Sequence, residues 1–320
     1  MIRILWARCA VIALATLLNL HPSRLGGQGV PLEWRQVHLG LEVTIRTWED
    51  SARAAMAADS AFSTIARLES ILSDWRSDSD LRRLSDLPSG TWHPVRPELA
   101  TVLALALEFA AASDGAFDPT IGALTQLWRE QRRTGITPDS SMIAAARSKV
   151  AWRRVEVDTI NHRVRLGETG MQFDLGGIAK GWILDRALES LQRHGVTRAM
   201  IEAGGDIVAA DAPPDSRGWR IAIAAADTIV VLSRGALAAS GPSAQFVTDV
   251  DGTVRSHVIS PVTGLGLDSR TEVVVRAPSG AIADAAATTI TLLPQERWAE
   301  VLARFGARVL AVYRAVVTTN

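Results

Sequence analysis

The sequence predicts an α+β fold built as one compact unit, and three observations carry that prediction. Strand candidates cluster along the chain, with helical stretches before and between them, whereas a doubly wound parallel sheet would alternate strand and helix throughout. No Pro/Ser-rich linker, low-complexity run or long repeat divides the chain. At 320 residues and 48% hydrophobic, with ten Trp and one Tyr, it is long enough to bury a substantial core. Acidic and basic residues both number 34, so the charge balance argues against nucleic acid or an anionic membrane surface as the main partner.

Residues 1–29 read as a signal peptide or membrane anchor. Arg3 and Arg8 precede an apolar run from Cys9 to Leu20, shorter than the ~20 residues a spanning helix needs. No A-x-A cleavage pattern follows, so an uncleaved anchor stays open. The folded unit is then 30–320. Cys9 is the single cysteine, so this unit has neither a disulfide nor a thiol.

Within that unit, partial alternation from Gln36 to Trp48 predicts a strand. Residues 50–75 read as a long Ala-rich helix with Ile65, Leu68, Ile71 and Leu72 on one face. The polar "SDWRSDSDLRRLSD" opens a short helix through Ser/Asp caps, and Pro97 to Ala112 is a strongly apolar helix that starts with Pro. Gly, Asp and Pro make "SDGAFDPTIGAL" (113–124) a loop. Residues 151–166 predict a strand pair turning at "TIN", and "MQFD" predicts a short strand running into "DLGGIAKG" and a helix from about Ile178. Four strand candidates follow: "RAMIEAGGDIVAAD", "WRIAIAAAD", "TIVVLS" and "GALAAS". A hairpin with Asp251-Gly252 at its tip comes next. One more strand, "TEVVVRAPS", leads to the helix "GAIADAAATTITLL" and to a last helix and strand.

Several stretches are chemically suggestive. Of the 34 basic residues only Lys149 and Lys180 are lysines, and Lys180 sits behind Gly176 and Gly177 at the mouth of a helix. A strand end, a glycine bend and a helix start present N–H groups and a positive dipole end, and an ammonium suits a phosphate oxygen. A plain strand-to-helix turn explains the glycines equally well. Asp284 and Thr288 lie four apart on a predicted helix, so both oxygens share a face and, with a backbone carbonyl, suit Mg²⁺. Helix capping is the competing reading. His257, in "SHVISPVTG", is placed to take a proton from a hydroxyl near neutral pH, although most histidines do nothing of the kind. "EAGGD" (202–206) and "GAFDPTIG" (115–122) each set an Asp beside glycines, as a turn or as a bed for a flat ligand.

In order along the chain, "GAFDPTIGALTQLW", "DLGGIAKG", "EAGGDI", "SHVISPVTG" and "ADAAATT" resemble the ApbE family, the exported FAD:protein FMN transferases. The resemblance runs from about Leu39 to Thr289. It implies an ApbE-like unit with a mixed or antiparallel sheet and flanking helices. It also implies Mg²⁺-dependent transfer of FMN from FAD to a threonine or serine hydroxyl of an exported or membrane redox protein, with release of AMP. By the same resemblance the metal falls to Asp284, Thr288 and a backbone oxygen at Gly177. FAD contacts fall to Leu39, Ala116, Phe117, Asp118, Asp174, Lys180 and Ile259, and the catalytic histidine is His257. The implied location is the periplasm or the outer face of the inner membrane.

Three positions depart from the family pattern: Ser260 replaces Asp or Asn before Pro261, Pro242 and Ser243 follow "SG", and "LGL" stands at 39–41. An FAD pyrophosphatase and a non-catalytic flavin-binding protein therefore remain alternatives.

Overall fold

The computed structural model describes residues 31–49, 51–241, 246–248 and 254–314. The expected leader, the Asp251-Gly252 tip and the departures at Pro242 and Ser243 lie outside them. Among the described residues no helix is long and apolar enough to cross a membrane.

The described residues open on a hairpin, β1 (Leu32–His38) and β2 (Leu41–Thr47), where the sequence predicts a single strand from 36 to 48. The reversal falls at Leu39 and Gly40, both with positive φ (56° and 71°), and this left-handed pair matches the twist of the flanking strands. A leucine in the left-handed region carries no turn signal, so the reversal was not visible in the sequence. Helix α1 (Ser51–Leu72) follows, with Ile65, Leu68, Ile71 and Leu72 buried as their spacing predicts. Helix α2 (Asp80–Ser85) is capped by the Ser79 side chain, which accepts the Arg82 N–H at 3.1 Å. β3 (Trp92–Pro94), α3 (Pro97–Ala112), α4 (Gly122–Thr134), α5 (Ser140–Arg147), β4 (Val155–Asp158) and β5 (Arg163–Leu166) come next, and β3-β5-β4 form a small antiparallel sheet.

The "MQFD" stretch is not a strand. Its backbone pairs with the loop before α4, the Gln172 carbonyl accepting from Gly122 N–H at 3.0 Å and the Asp174 N–H donating to the Pro119 carbonyl at 2.9 Å. Those bonds bring the "AFDPT" loop beside the "DLGG" turn. After α6 (Ala179–Arg193), "RAMIEAGGDIVAAD" makes two strands, β6 (Ala199–Ala203) and β7 (Asp206–Ala209), reversing at Gly204 and Gly205 with positive φ. β8 (Trp219–Ile223), β9 (Thr228–Leu232), β10 (Gly235–Ser240), β11 (Phe246–Thr248), β12 (Val254–Ser256) and β13 (Thr271–Ala277) follow. Helix α7 (Gly280–Leu292), helix α8 (Trp298–Arg304) and β14 (Arg308–Arg314) end the described chain.

Seven strands form one antiparallel sheet in the order β1-β2-β6-β7-β10-β13-β14. Alternation along its strands sorts residues between two layers. Ala199, Ile201, Val208, Ala236, Ala238, Val273 and Val275 face the main core beneath α1, α6 and α7. Met200, Ile207, Ala209 and Leu237 face the other way and are covered by Trp219, Ile221 and Leu232 of the β8–β9 hairpin.

On the helical side, α6 and α7 cross at their first turns. A Cβ on Gly181 would stand 2.0 Å from the Gly280 carbonyl oxygen, and one on Gly280 would stand 2.4 Å from the Gly181 oxygen. Only two glycines allow that approach. Two helix N-termini are thus held together beside the Gly204-Gly205 turn.

Candidate active site

Around this crossing opens a cleft of about 590 Å³, within the range of roughly 300–1,000 Å³ usual for small-molecule sites. Ten of the eleven residues expected at the site line it: Ala116, Phe117, Asp118, Asp174, Gly177, Lys180, His257, Ile259, Asp284 and Thr288. Leu39 is not among its lining residues. It sits on the β1–β2 turn, donates its N–H to Glu69 Oε2 at 3.2 Å and packs against the main core.

The "DLGG" turn is shaped by Asp174, whose Oδ1 accepts the Gly176 N–H at 2.7 Å. Gly177 then passes so close to α7 that a Cβ there would lie 3.0–3.1 Å from Thr288 Cγ2 and Oγ1 and from Phe117. A side chain there would crowd the Thr288 hydroxyl and Phe117, each of which would have to give by a few tenths of an ångström. Thr289 is excluded from the cleft: it is fully buried and donates to the Ala285 carbonyl at 2.6 Å.

Lys180 projects from the first turn of α6, with Nζ 2.6 Å from Asp206 Oδ2. The aspartate beside the two glycines is thus the buried partner of the lysine, a role the sequence did not assign. Burial works against the Lys180 charge, yet Asp206 and then Asp284 raise its pKa above the usual value. The Asp206 carboxyl is raised by burial despite the lysine. Asp284 is pushed up to about 7, first by burial and then by Asp206, against the pull of Lys180. Its Oδ2 accepts the Gly181 N–H at 3.0 Å. When both carboxylates ionise, one ammonium leaves a negative charge uncompensated in a buried place, the electrostatic setting of a cation site.

The donors fit Mg²⁺. A carboxylate oxygen of Asp284, the Thr288 hydroxyl and the Gly177 backbone are hard oxygen ligands, and Mg²⁺ keeps several positions for water and substrate phosphates. Among the described residues no group of three His, Cys, Asp or Glu side chains is placed to hold a metal ion.

The remaining expected residues frame the cleft. Asp118 is buried; its Oδ1 accepts from Thr120 N–H and Oγ1 at 2.8 and 2.6 Å, and its Oδ2 accepts from Trp152 N–H at 3.4 Å. It holds the loop that carries Phe117, whose ring packs on Phe109 with centroids 6.0 Å apart. His257 follows β12, and Ile259 anchors the next turn against Leu124 and Trp128. Ser260 accepts the Thr263 N–H at 3.3 Å, the turn bond an Asp or Asn side chain would make. This departure keeps the local geometry.

Sequence reasoning missed a second charged wall. Arg129 and Arg132, three apart on α4, line the cleft with Trp75. Arg129 Nη2 lies 2.5 Å from Asp74 Oδ2 and 3.9 Å from Asp174 Oδ2. A helical-face reading of "LWREQRR" would have exposed the arginine pair; Asp74 joins it only through folding.

Burial first, then the Asp174 carboxylate, push Asp74 up to about 7 in spite of Arg129. A folded-state pKa above the usual 3.8 means that the native protein binds the proton more tightly than the unfolded chain. The contribution is full at acid pH and is lost as pH rises through about 7. Asp74→Asn should therefore flatten the decline of stability between pH 4 and 7, by on the order of 1 kcal/mol per pH unit at most. Melting curves of both proteins across that range check it, and identical pH profiles would exclude the effect.

Comparison with known proteins agrees with this architecture. The ApbE family pattern matches residues 39–312. The FAD:protein FMN transferase of Treponema pallidum is 28% identical over 304 residues, covering 88% of this chain and 84% of its own length. That of Chlamydia muridarum is 30% identical over 230 residues, covering 70% and 72%. The crystal structure of the ApbE protein from Thermotoga maritima matches 89% of this chain and 97% of its own with a TM-score of 0.77 at 27% identity. Similarity of this extent, in sequence and in fold alike, establishes that the chain belongs to the ApbE family.

Proposed function

We propose that this enzyme transfers FMN from FAD to a threonine or serine hydroxyl of an exported or membrane redox protein, with Mg²⁺, and releases AMP. The single observation that supports the reading best is the convergence of Gly177, Lys180, His257, Asp284 and Thr288 on one cleft. The relatives' name, FAD:protein FMN transferase, supplies the substrate and the class of acceptor.

In this reading the acceptor oxygen attacks the phosphorus on the riboflavin side of the pyrophosphate. The bond from that phosphorus to the bridging oxygen breaks, and AMP leaves with the electron pair. His257 takes the hydroxyl proton. Lys180, at the mouth of α6, offers its ammonium and the nearby helix N-terminus to the phosphate oxygens. Asp206 keeps that ammonium charged and aimed. Asp284, Thr288 and the Gly177 carbonyl would hold Mg²⁺, which when bound neutralises charge developing on the phosphates. Phe117 and Ile259 offer apolar contact to a flat ring system. The leader expected at 1–29 would deliver the enzyme to the periplasm or the outer face of the inner membrane.

The test is a reaction of protein, FAD, Mg²⁺ and a candidate acceptor, with AMP, free FMN and acceptor mass all measured. AMP together with an acceptor heavier by one FMN is the expected result. AMP with free FMN and an unmodified acceptor would replace transfer by hydrolysis, and bound FAD without AMP would replace catalysis by storage.

A further inference from the structure

The two helices that meet under the cleft carry the same pattern, Gly-x-x-x-Asp: Gly181 to Asp185 in α6 and Gly280 to Asp284 in α7. Their glycines lie backbone to backbone, and each helix caps the other. Asp284 Oδ2 accepts the Gly181 N–H at 3.0 Å, while Asp185 Oδ1 accepts the Gly280 N–H at 2.6 Å and Asp185 Oδ2 accepts the Ala281 N–H at 2.9 Å. The exchange is unequal in one respect. Asp185 uses both oxygens on α7, whereas Asp284 caps α6 through Oδ2 and lines the cleft.

We infer that Asp185 is a positioning residue for the metal site: by clamping the first turn of α7 against α6, it fixes the direction in which Asp284 presents its carboxylate to the cleft. The inference rests on the Mg²⁺ reading given above. Its physical basis is that a ligand's affinity depends on the groups that orient it. Three charge-assisted hydrogen bonds across a glycine crossing leave α7 little freedom to rotate Asp284 away. Ser279 caps only the next N–H, that of Ile282, at 3.4 Å, so it does not replace Asp185. Asp185 is thus the counterpart of Asp284 in pattern and contact, but it serves the metal from one helix away.

The experiment is a Mn²⁺ titration of the full chain without FAD, followed by the free-ion EPR signal, on wild type, Asp185→Asn and Asp185→Ala. Asn keeps the shape but sets an amide N–H₂ against a backbone N–H. The expected result is a Kd for Mn²⁺ raised roughly 10-fold or more in Asp185→Asn and further in Asp185→Ala. In turnover, the Mg²⁺ concentration for half-maximal rate should rise while kcat at saturating Mg²⁺ stays near wild type. A folded Asp185→Asn with the wild-type Kd would overturn the inference and leave the metal reading intact. A wild type with no Mn²⁺ site would overturn the metal reading and this inference with it. Hydrogen exchange in the unaltered protein gives an answer even if both variants fail to fold. Coupling is reciprocal, so Mg²⁺ should slow exchange at the Gly280 and Ala281 amides. Unchanged exchange there, with Mg²⁺ bound, would also overturn it.

Discussion

Asp284→Asn is expected to lower turnover by about 10³-fold or more while the protein stays folded. A loss of that size corresponds to roughly 4 kcal/mol of transition-state stabilisation, within what a bound divalent ion supplies to phosphoryl transfer. The amide oxygen of Asn can still accept the Gly181 N–H, so the crossing of α6 and α7 survives. What disappears is the negative charge that faces the cleft. The same substitution removes a like charge from beside Asp206, so without added metal the variant should melt no lower than wild type above pH 7. AMP release at saturating Mg²⁺, set beside circular dichroism and a melting curve, checks all three statements. Near-normal AMP release from the folded variant would take Asp284 out of the chemistry.

Lys180→Met should have two effects that a second substitution separates. The first is on stability. Lys180 is the ion-pair partner of Asp206 at 2.6 Å, and Asp206 is almost fully buried. Breaking such a pair by removing one member typically costs about 3–5 kcal/mol, because the other charge stays buried and alone. The second effect is on the ligand, since an ammonium that meets a phosphate oxygen is worth roughly 1.5–3 kcal/mol, or about 10–100-fold in FAD affinity. In the double variant Lys180→Met, Asp206→Asn the orphaned charge is gone, so most of the stability should return while FAD affinity stays low. Melting curves read the first effect and calorimetric titration with FAD the second. Should the double variant recover FAD affinity along with stability, Lys180 would be a structural ion-pair partner with no contact to the substrate.

These two residues also show where sequence reading succeeds and where it stops. That Lys180 stands at a helix mouth behind two glycines is visible in eight letters, and α6 does begin at Ala179. That its ammonium meets Asp206 is not visible, because the two are brought together by the reversal at Gly204-Gly205 and the pairing of β6 with β7. Asp284 and Thr288 share a helix face by period alone, and capping was a fair competing reading. The structure makes the two readings compatible: Asp284 does cap a helix, but the one it caps is α6. Leu39 lies on the β1–β2 turn, with its N–H on Glu69 and its side chain against the core, contacts that no local pattern announces. The "MQFD" strand was not borne out, since short alternation cannot tell a strand from a loop that bonds another loop.

Local periodicity and glycine, proline and cap signals, properties of adjacent residues, determined by themselves the α+β class, the bounds of α3, the existence of α2, the start of α6 to within a residue, and the short list of chemically able side chains. The choice among those side chains was decided by the tertiary structure. Which carboxylates share a buried volume with Lys180, which oxygens are already taken by backbone N–H groups, and which arginines join the wall all depend on contacts between residues far apart in the chain. Burial converts those contacts into charge states, and no local pattern encodes burial of that kind.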